Sequence, residues 1–85
     1  MQDSGEGDRL LLYGTSACHL CELAEALLLE QRAAGRRVVF DKVDISESDE
    51  LFERYGLTIP VLRHPDGREL GWPFGPPELR EFLLS

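Results

Sequence analysis

Two cysteines three residues apart, Cys18 and Cys21, carry the most reactive chemistry in this chain of 85 residues, which has no other cysteine. A cysteine is nucleophilic as its thiolate, and two thiols this close can form and break an intramolecular disulfide. Their short loop constrains little of the unfolded chain, so a structural role is a weak explanation. The spacing therefore predicts thiol–disulfide exchange.

The pair lies between a predicted strand and a predicted helix. Residues 9–13 form an apolar run that ends at Gly14, which is typical of a buried strand. Apolar side chains then recur at helical spacing, at Leu20, Leu23, Ala24, Leu27 and Leu28. Free backbone N–H groups and the helix dipole favour an anion at a helix start. This placement predicts that Cys18 is the exposed attacking thiol and Cys21 the resolving thiol, one turn further along.

Neighbouring polar residues leave alternatives open. A protonated His19 would stabilise a thiolate at Cys18, or it is simply an exposed polar residue. Glu22 and Glu25 in the first turns of the helix oppose a nearby thiolate. Zinc prefers four ligands, and the cysteines with His19 and the distant His64 would need help from another subunit. We therefore predict no metal site in the chain itself.

The remaining elements alternate along the chain. Residues 37–45 predict a second strand, and residues 46–56 a capped short helix. Residues 60–63 and 68–72 predict a hairpin around Pro65-Asp66-Gly67, and residues 76–83 predict a last helix that starts at a proline. The order is β-α-β-α-β-β-α, an α/β fold with a four-stranded mixed sheet flanked by helices. The first two strands should be parallel with a right-handed crossover, and the hairpin should be antiparallel.

Charge and length narrow the classes of partner. The formal net charge of −7 repels phosphates, so we expect no nucleic-acid partner and no binding to an anionic membrane. Residues 1–8 are acidic and unlike a signal peptide, which predicts a flexible lead-in to a single domain over residues 9–85. We expect a monomer in the cytoplasm, where a reducing environment suits catalytic cysteines.

Several short motifs resemble those of small bacterial glutaredoxin-like proteins in the thioredoxin superfamily. They are Cys-His-Leu-Cys at residues 18–21, Asp-Ile at 44–45, Tyr-Gly-Leu at 55–57 and Thr-Ile-Pro at 58–60. The resemblance covers nearly the whole chain after residue 8 and implies a thioredoxin-like fold with oxidoreductase activity. It also implies that Pro60 follows a cis peptide bond and lies against Cys18. The backbone of Ile59 would then pair with an extended substrate.

Three departures from the glutaredoxin pattern bear on the substrate. Thr15 stands where many glutaredoxins have a cation, residues 71–75 lack the usual aspartate, and no proline separates the cysteines. We therefore expect weak glutathione binding, no bound cofactor, and a protein or small-molecule disulfide as substrate. The alternative is a non-catalytic glutaredoxin-like module that binds a protein partner or a metal. Trp72 and Phe74 are expected to be half-buried, or else to form an apolar lip for such a partner.

Overall fold

A four-stranded sheet in the order β2-β1-β3-β4 organises the computed structural model, which describes residues 9–84. Strand β1 (Arg9–Gly14) is parallel to β2 (Val39–Asp44) and antiparallel to β3 (Val61–Arg63). Strand β4 (Glu69–Gly71) completes the sheet antiparallel to β3. The predicted mixed sheet, with a parallel first pair and an antiparallel hairpin, is confirmed.

Three α-helices accompany the strands in residues 9–84. Helix α1 (His19–Ala33) connects β1 to β2, α2 (Asp49–Tyr55) lies between β2 and β3, and α3 (Pro76–Leu84) follows β4. A 3-10 turn (Ile45–Glu47) leads from β2 toward α2. The predicted element order is confirmed. The predicted lead-in, residues 1–8, lies outside the described residues.

Local signals in the sequence explain where the elements begin and end. The hydroxyl of Ser48 accepts a hydrogen bond from the Leu51 N–H at 3.3 Å and caps α2. At α3, the Glu78 carboxylate accepts one from the Gly75 N–H at 2.9 Å, which is half of a capping box. Gly35 after α1 and Gly67 in the hairpin turn both have a positive φ, which glycine adopts without steric cost.

Alternation along β1 divides the core between the two faces of the sheet. Leu10 and Leu12 face α1 and α3, in a cluster with Ala24, Leu28, Val38, Leu62, Phe74, Leu79 and Phe82. Tyr13 lies on the other face, in a smaller cluster with Ile45, Tyr55 and Val61 near α2. There the rings of Tyr13 and Tyr55 stack with centroids 4.5 Å apart. The first strand is thus covered on both faces, as its apolar run predicts.

The structure corrects the apolar face predicted for α1. Leu20 and Leu23 are each 42% exposed, whereas Cys21, Ala24 and Leu28 face the sheet. One sheet face accommodates only a narrow stripe of a single helix, so hydrophobic spacing overestimates the buried set.

Two further differences concern single aromatic residues and strand ends. Phe74 is buried rather than half-buried, while Trp72 is half-buried as expected; their rings meet edge to face at 5.2 Å. Strands β2 and β4 are also shorter than predicted, since β2 begins at Val39 and β4 ends at Gly71.

None of the helices in the described part of the chain is long and apolar enough to cross a membrane.

Candidate functional site

Cys18 caps the N-terminus of α1. Its backbone is extended (φ −97°, ψ 107°), and its Sγ accepts a hydrogen bond from the Cys21 N–H at 3.0 Å. The sulfur thereby satisfies one of the free N–H groups of the first helical turn. A hydrogen bond from an N–H and the positive end of the helix dipole both favour a negative charge on this atom.

Cys18 and Cys21 are bonded to each other as a disulfide with their Cα atoms 5.2 Å apart, an ordinary separation for such a bond. Their accessibility differs. Cys18 is partly exposed, whereas Cys21 is only 9% exposed beneath the first turn of α1. The sulfur of Cys18 therefore belongs to the more accessible of the two residues.

Gly14 at the end of β1 leaves the space that Cys21 occupies. A Cβ placed on Gly14 would lie only 2.6 Å from the Cys21 Sγ, closer than real Cβ contacts come. The sequence indicated Gly14 only as the end of a strand. Its close approach to the second cysteine depends on how α1 turns back over β1, so periodicity alone could not reveal it.

Replacing Gly14 with alanine is expected to destabilise the oxidised protein by about 1–3 kcal/mol, the usual cost of overpacking a tight site. Gly71→Ala is the matched control because a Cβ there meets no atom within 4 Å. Urea unfolding of both variants measures the difference. Equal stabilities would contradict the proposed close packing between β1 and the disulfide.

A cleft of about 420 Å³ lies beside the disulfide between α1 and β2. Its lining residues are Leu12, Gly14, Thr15, Ser16, Cys18, Cys21, Glu22, Glu25, Lys42, Val43 and Asp44. Three of these side chains are carboxylates and one is an ammonium group. The cleft therefore carries a net negative charge and disfavours an anionic ligand.

Each charged group in this cleft has a defined partner. The Lys42 ammonium lies 3.3 Å from the Glu25 carboxylate. The Asp44 carboxylate accepts hydrogen bonds from the hydroxyl and the backbone N–H of Ser46, and these bonds lower the pKa of Asp44. The sequence drew attention to Glu25 only as a charge near the cysteines. Its pairing with Lys42 joins residues 17 positions apart.

His19 projects from the exposed side of α1. Its Nδ1 lies 3.7 Å from Glu22 Oε1, and the two side chains are 79% and 72% exposed. A protonated His19 therefore has Glu22 as its immediate charge partner. An interaction with the thiolate of Cys18 would act through solvent and be screened by salt.

Ile59 and Pro60 lie at the same end of the sheet as the disulfide. Tyr13 pairs with Val61, so the residue before Val61 comes opposite Gly14, just ahead of the cysteines. The Ile59–Pro60 peptide bond is cis. The Ile59 N–H donates a hydrogen bond to the Tyr55 carbonyl at 3.1 Å, and is therefore already used within the protein.

Candidate metal ligands do not converge in the described residues. Within residues 9–84 no group of three or more His, Cys, Asp and Glu side chains could hold a metal ion. His64 follows β3 at the end of the sheet remote from the cysteines, and its Nδ1 lies 3.1 Å from the Asp66 carboxylate.

A four-stranded mixed sheet with helices on both faces and a Cys-x-x-Cys disulfide at the start of α1 defines a thioredoxin-fold protein. Within that class, the glutaredoxin-like domain family (DUF836) matches residues 9–84. The chain belongs to this family, which confirms the resemblance predicted from its motifs. A comparison with curated protein sequences finds no match.

Several solved structures are similar to this chain. The chain is similar to the structural-genomics target protein XcR50 from X. campestris, with 46% identity over 87% of this chain and 93% of that one, at a TM-score of 0.75. It is also similar to protein Ne2328 from Nitrosomonas europaea, with 24% identity over 96% and 98% of the two chains, at a TM-score of 0.65. Oxidised mitochondrial thioredoxin 3 from Saccharomyces cerevisiae is 21% identical over 92% and 77%, at a TM-score of 0.62. The last two similarities show the fold alone.

Proposed function

We propose that the chain carries out thiol–disulfide exchange on a protein or small-molecule disulfide. The observation that supports this most is the Cys18–Cys21 disulfide at the start of α1, where the Sγ of Cys18 accepts the Cys21 N–H. A helix start stabilises the thiolate that must attack, and the second thiol is close enough to complete the exchange.

The reaction proceeds in two displacements. The Cys18 thiolate attacks one sulfur of the substrate disulfide, so a mixed disulfide forms and the other substrate sulfur leaves as a thiolate. Cys21 then loses its proton and attacks the Sγ of Cys18, which releases the second substrate sulfur. Two electrons pass from the protein dithiol to the substrate, and the protein ends in the disulfide state. An external thiol must reduce it again, which fits a reducing compartment such as the cytoplasm.

Ile59 and Pro60 are proposed to shape the substrate side of this site. An extended substrate segment can pair with exposed backbone groups beside the disulfide, as in strand addition. The Ile59 N–H is donated to Tyr55, and the Pro60 carbonyl accepts the Trp72 N–H at 3.1 Å. The carbonyl of Ile59 is therefore the group that we propose accepts a substrate N–H.

Redox equilibration tests this proposal directly. The reduced protein, mixed with a mild disulfide oxidant, is expected to lose two thiols per chain and to regain both with excess dithiothreitol. Thiol counting and mass spectrometry measure the change, and the mass excludes dimers. Two free thiols after oxidation, or only intermolecular disulfides, would contradict dithiol exchange and favour a non-catalytic binding module.

A further inference from the structure

The second displacement needs a group that takes the proton of Cys21. An ordinary cysteine has a pKa of about 8.5, so most of such a thiol is protonated at neutral pH. Burial disfavours the thiolate further, and Cys21 is only 9% exposed. The N-terminus of α1 stabilises a thiolate at Cys18, whereas Cys21 lies one turn further into the helix.

Three carboxylates line the cleft that Cys21 also lines, and two of them are poor acceptors for its proton. Asp44 is held by two hydrogen bonds from Ser46, and its lowered pKa makes it a weaker base. Glu22 is 72% exposed and directed toward His19, on the solvent side of α1.

The third carboxylate, Glu25, is better placed. It lies four residues after Cys21, and residues at this spacing occupy the same face of a helix one turn apart. Its side chain is 31% exposed, and Lys42 of β2 holds its Oε1 at 3.3 Å from across the cleft. The ion pair thus keeps a carboxylate in the cleft beside the buried thiol.

We propose that Glu25, positioned by Lys42, accepts the proton of Cys21 when Cys21 resolves the mixed disulfide. The inference rests on the proposed exchange function. The proton passes from the Cys21 sulfur to the Glu25 carboxylate, directly or through one water in the cleft. The sulfur's electron pair forms the bond to Cys18, and the bond between Cys18 and the substrate sulfur breaks. The substrate sulfur leaves as a thiolate, and Glu25 later returns its proton to solvent.

A two-phase reaction with an aromatic disulfide separates the steps. Reduced protein in excess over 5,5′-dithiobis(2-nitrobenzoate) releases one coloured thiolate when Cys18 attacks and a second when Cys21 resolves. Glu25→Gln is expected to slow the second phase about a hundredfold near neutral pH, at the low end of general-base contributions, and to leave the first phase unchanged. The deficit should shrink as the pH is raised well above about 8.5, because hydroxide in the solvent can then remove the thiol proton without Glu25.

Glu22→Gln is the matched control because it removes a carboxylate from the same cleft. If Glu25 acted only through its charge, Glu25→Gln would accelerate the second phase, because losing a negative charge near Cys21 favours its thiolate. Glu25→Asp keeps a carboxylate and should recover most of the rate.

Three outcomes would overturn the role of Glu25. A second phase in Glu25→Gln that is as fast as in the unmodified protein, or faster, excludes a proton acceptor at this position. Equal slowing in Glu22→Gln shows that the effect is not specific to Glu25. Slowing that persists unchanged at alkaline pH shows a structural one. A missing second phase in the unmodified protein is a different result, because it contradicts the exchange function itself.

Discussion

Cys18→Ser is expected to lower the rate of disulfide reduction at least about a thousandfold, because a serine hydroxyl is not ionised at neutral pH and cannot replace a thiolate. The remaining thiol, Cys21, is only 9% exposed and cannot take over the attack on a bulky substrate. Steady-state reduction of a protein disulfide, with dithiothreitol as the electron donor and its uncatalysed rate subtracted, measures the loss.

The reciprocal variant distinguishes the roles of the two cysteines. Cys21→Ser should retain the first displacement and accumulate a mixed disulfide on Cys18, which mass spectrometry of a single turnover detects. Ser16→Ala, at an exposed position lining the same cleft, is the control and should keep nearly full activity. A mixed disulfide on Cys21, or substantial activity in Cys18→Ser, would reverse the assigned order of attack.

Glutathione is expected to bind at least about a hundredfold more weakly than to a typical glutaredoxin. Two charged contacts expected from the family pattern are absent, since Thr15 supplies no cation and residues 71–75 contain no aspartate. A hydrogen bond to a charged group contributes about 1.5–3 kcal/mol, and each 1.4 kcal/mol is about tenfold in affinity. The cleft beside the disulfide adds carboxylates from Glu22, Glu25 and Asp44 against the single ammonium of Lys42, which repels the glutathione anion.

A chemical-shift titration with glutathione, together with a mixed-disulfide reduction assay, tests this expectation. Thr15→Lys should strengthen binding roughly two- to fivefold, the range of a solvent-exposed ion pair, whereas the neutral Thr15→Gln should not. Submillimolar affinity for the unmodified chain, with turnover like that of an active glutaredoxin, would contradict the argument. Some other residue would then supply the cation.

The succession of elements could be predicted because each depends on residues that are close together along the chain. The apolar run from Leu10 to Tyr13, the capping hydroxyl of Ser48 and the positive φ of Gly67 all act over fewer than five residues. The position of Cys18 at a strand-to-helix junction follows from the same short-range signals. The pairing of the two cysteines and the greater exposure of Cys18 were therefore predictable from the sequence.

The surroundings of that dithiol depend on contacts between elements. The helical spacing of Leu20 and Leu23 predicted burial, but the sheet face that α1 covers admits only a narrower stripe, so both remain exposed. The backbone of Ile59 was predicted to pair with a substrate, yet the turn after α2 brings the Tyr55 carbonyl within hydrogen-bond distance of the Ile59 N–H.

Only the tertiary structure decided which groups accompany Cys21 in the cleft. Glu25 lies in α1 and Lys42 in β2, and the two side chains meet across the cleft between these elements. The approach of Gly14 to the Cys21 sulfur likewise depends on the angle at which α1 crosses β1. Residue type and spacing determine which chemistry a side chain can perform. Distances between side chains far apart in the chain depend on how helices and strands pack, because that packing is set by the shape of the whole core.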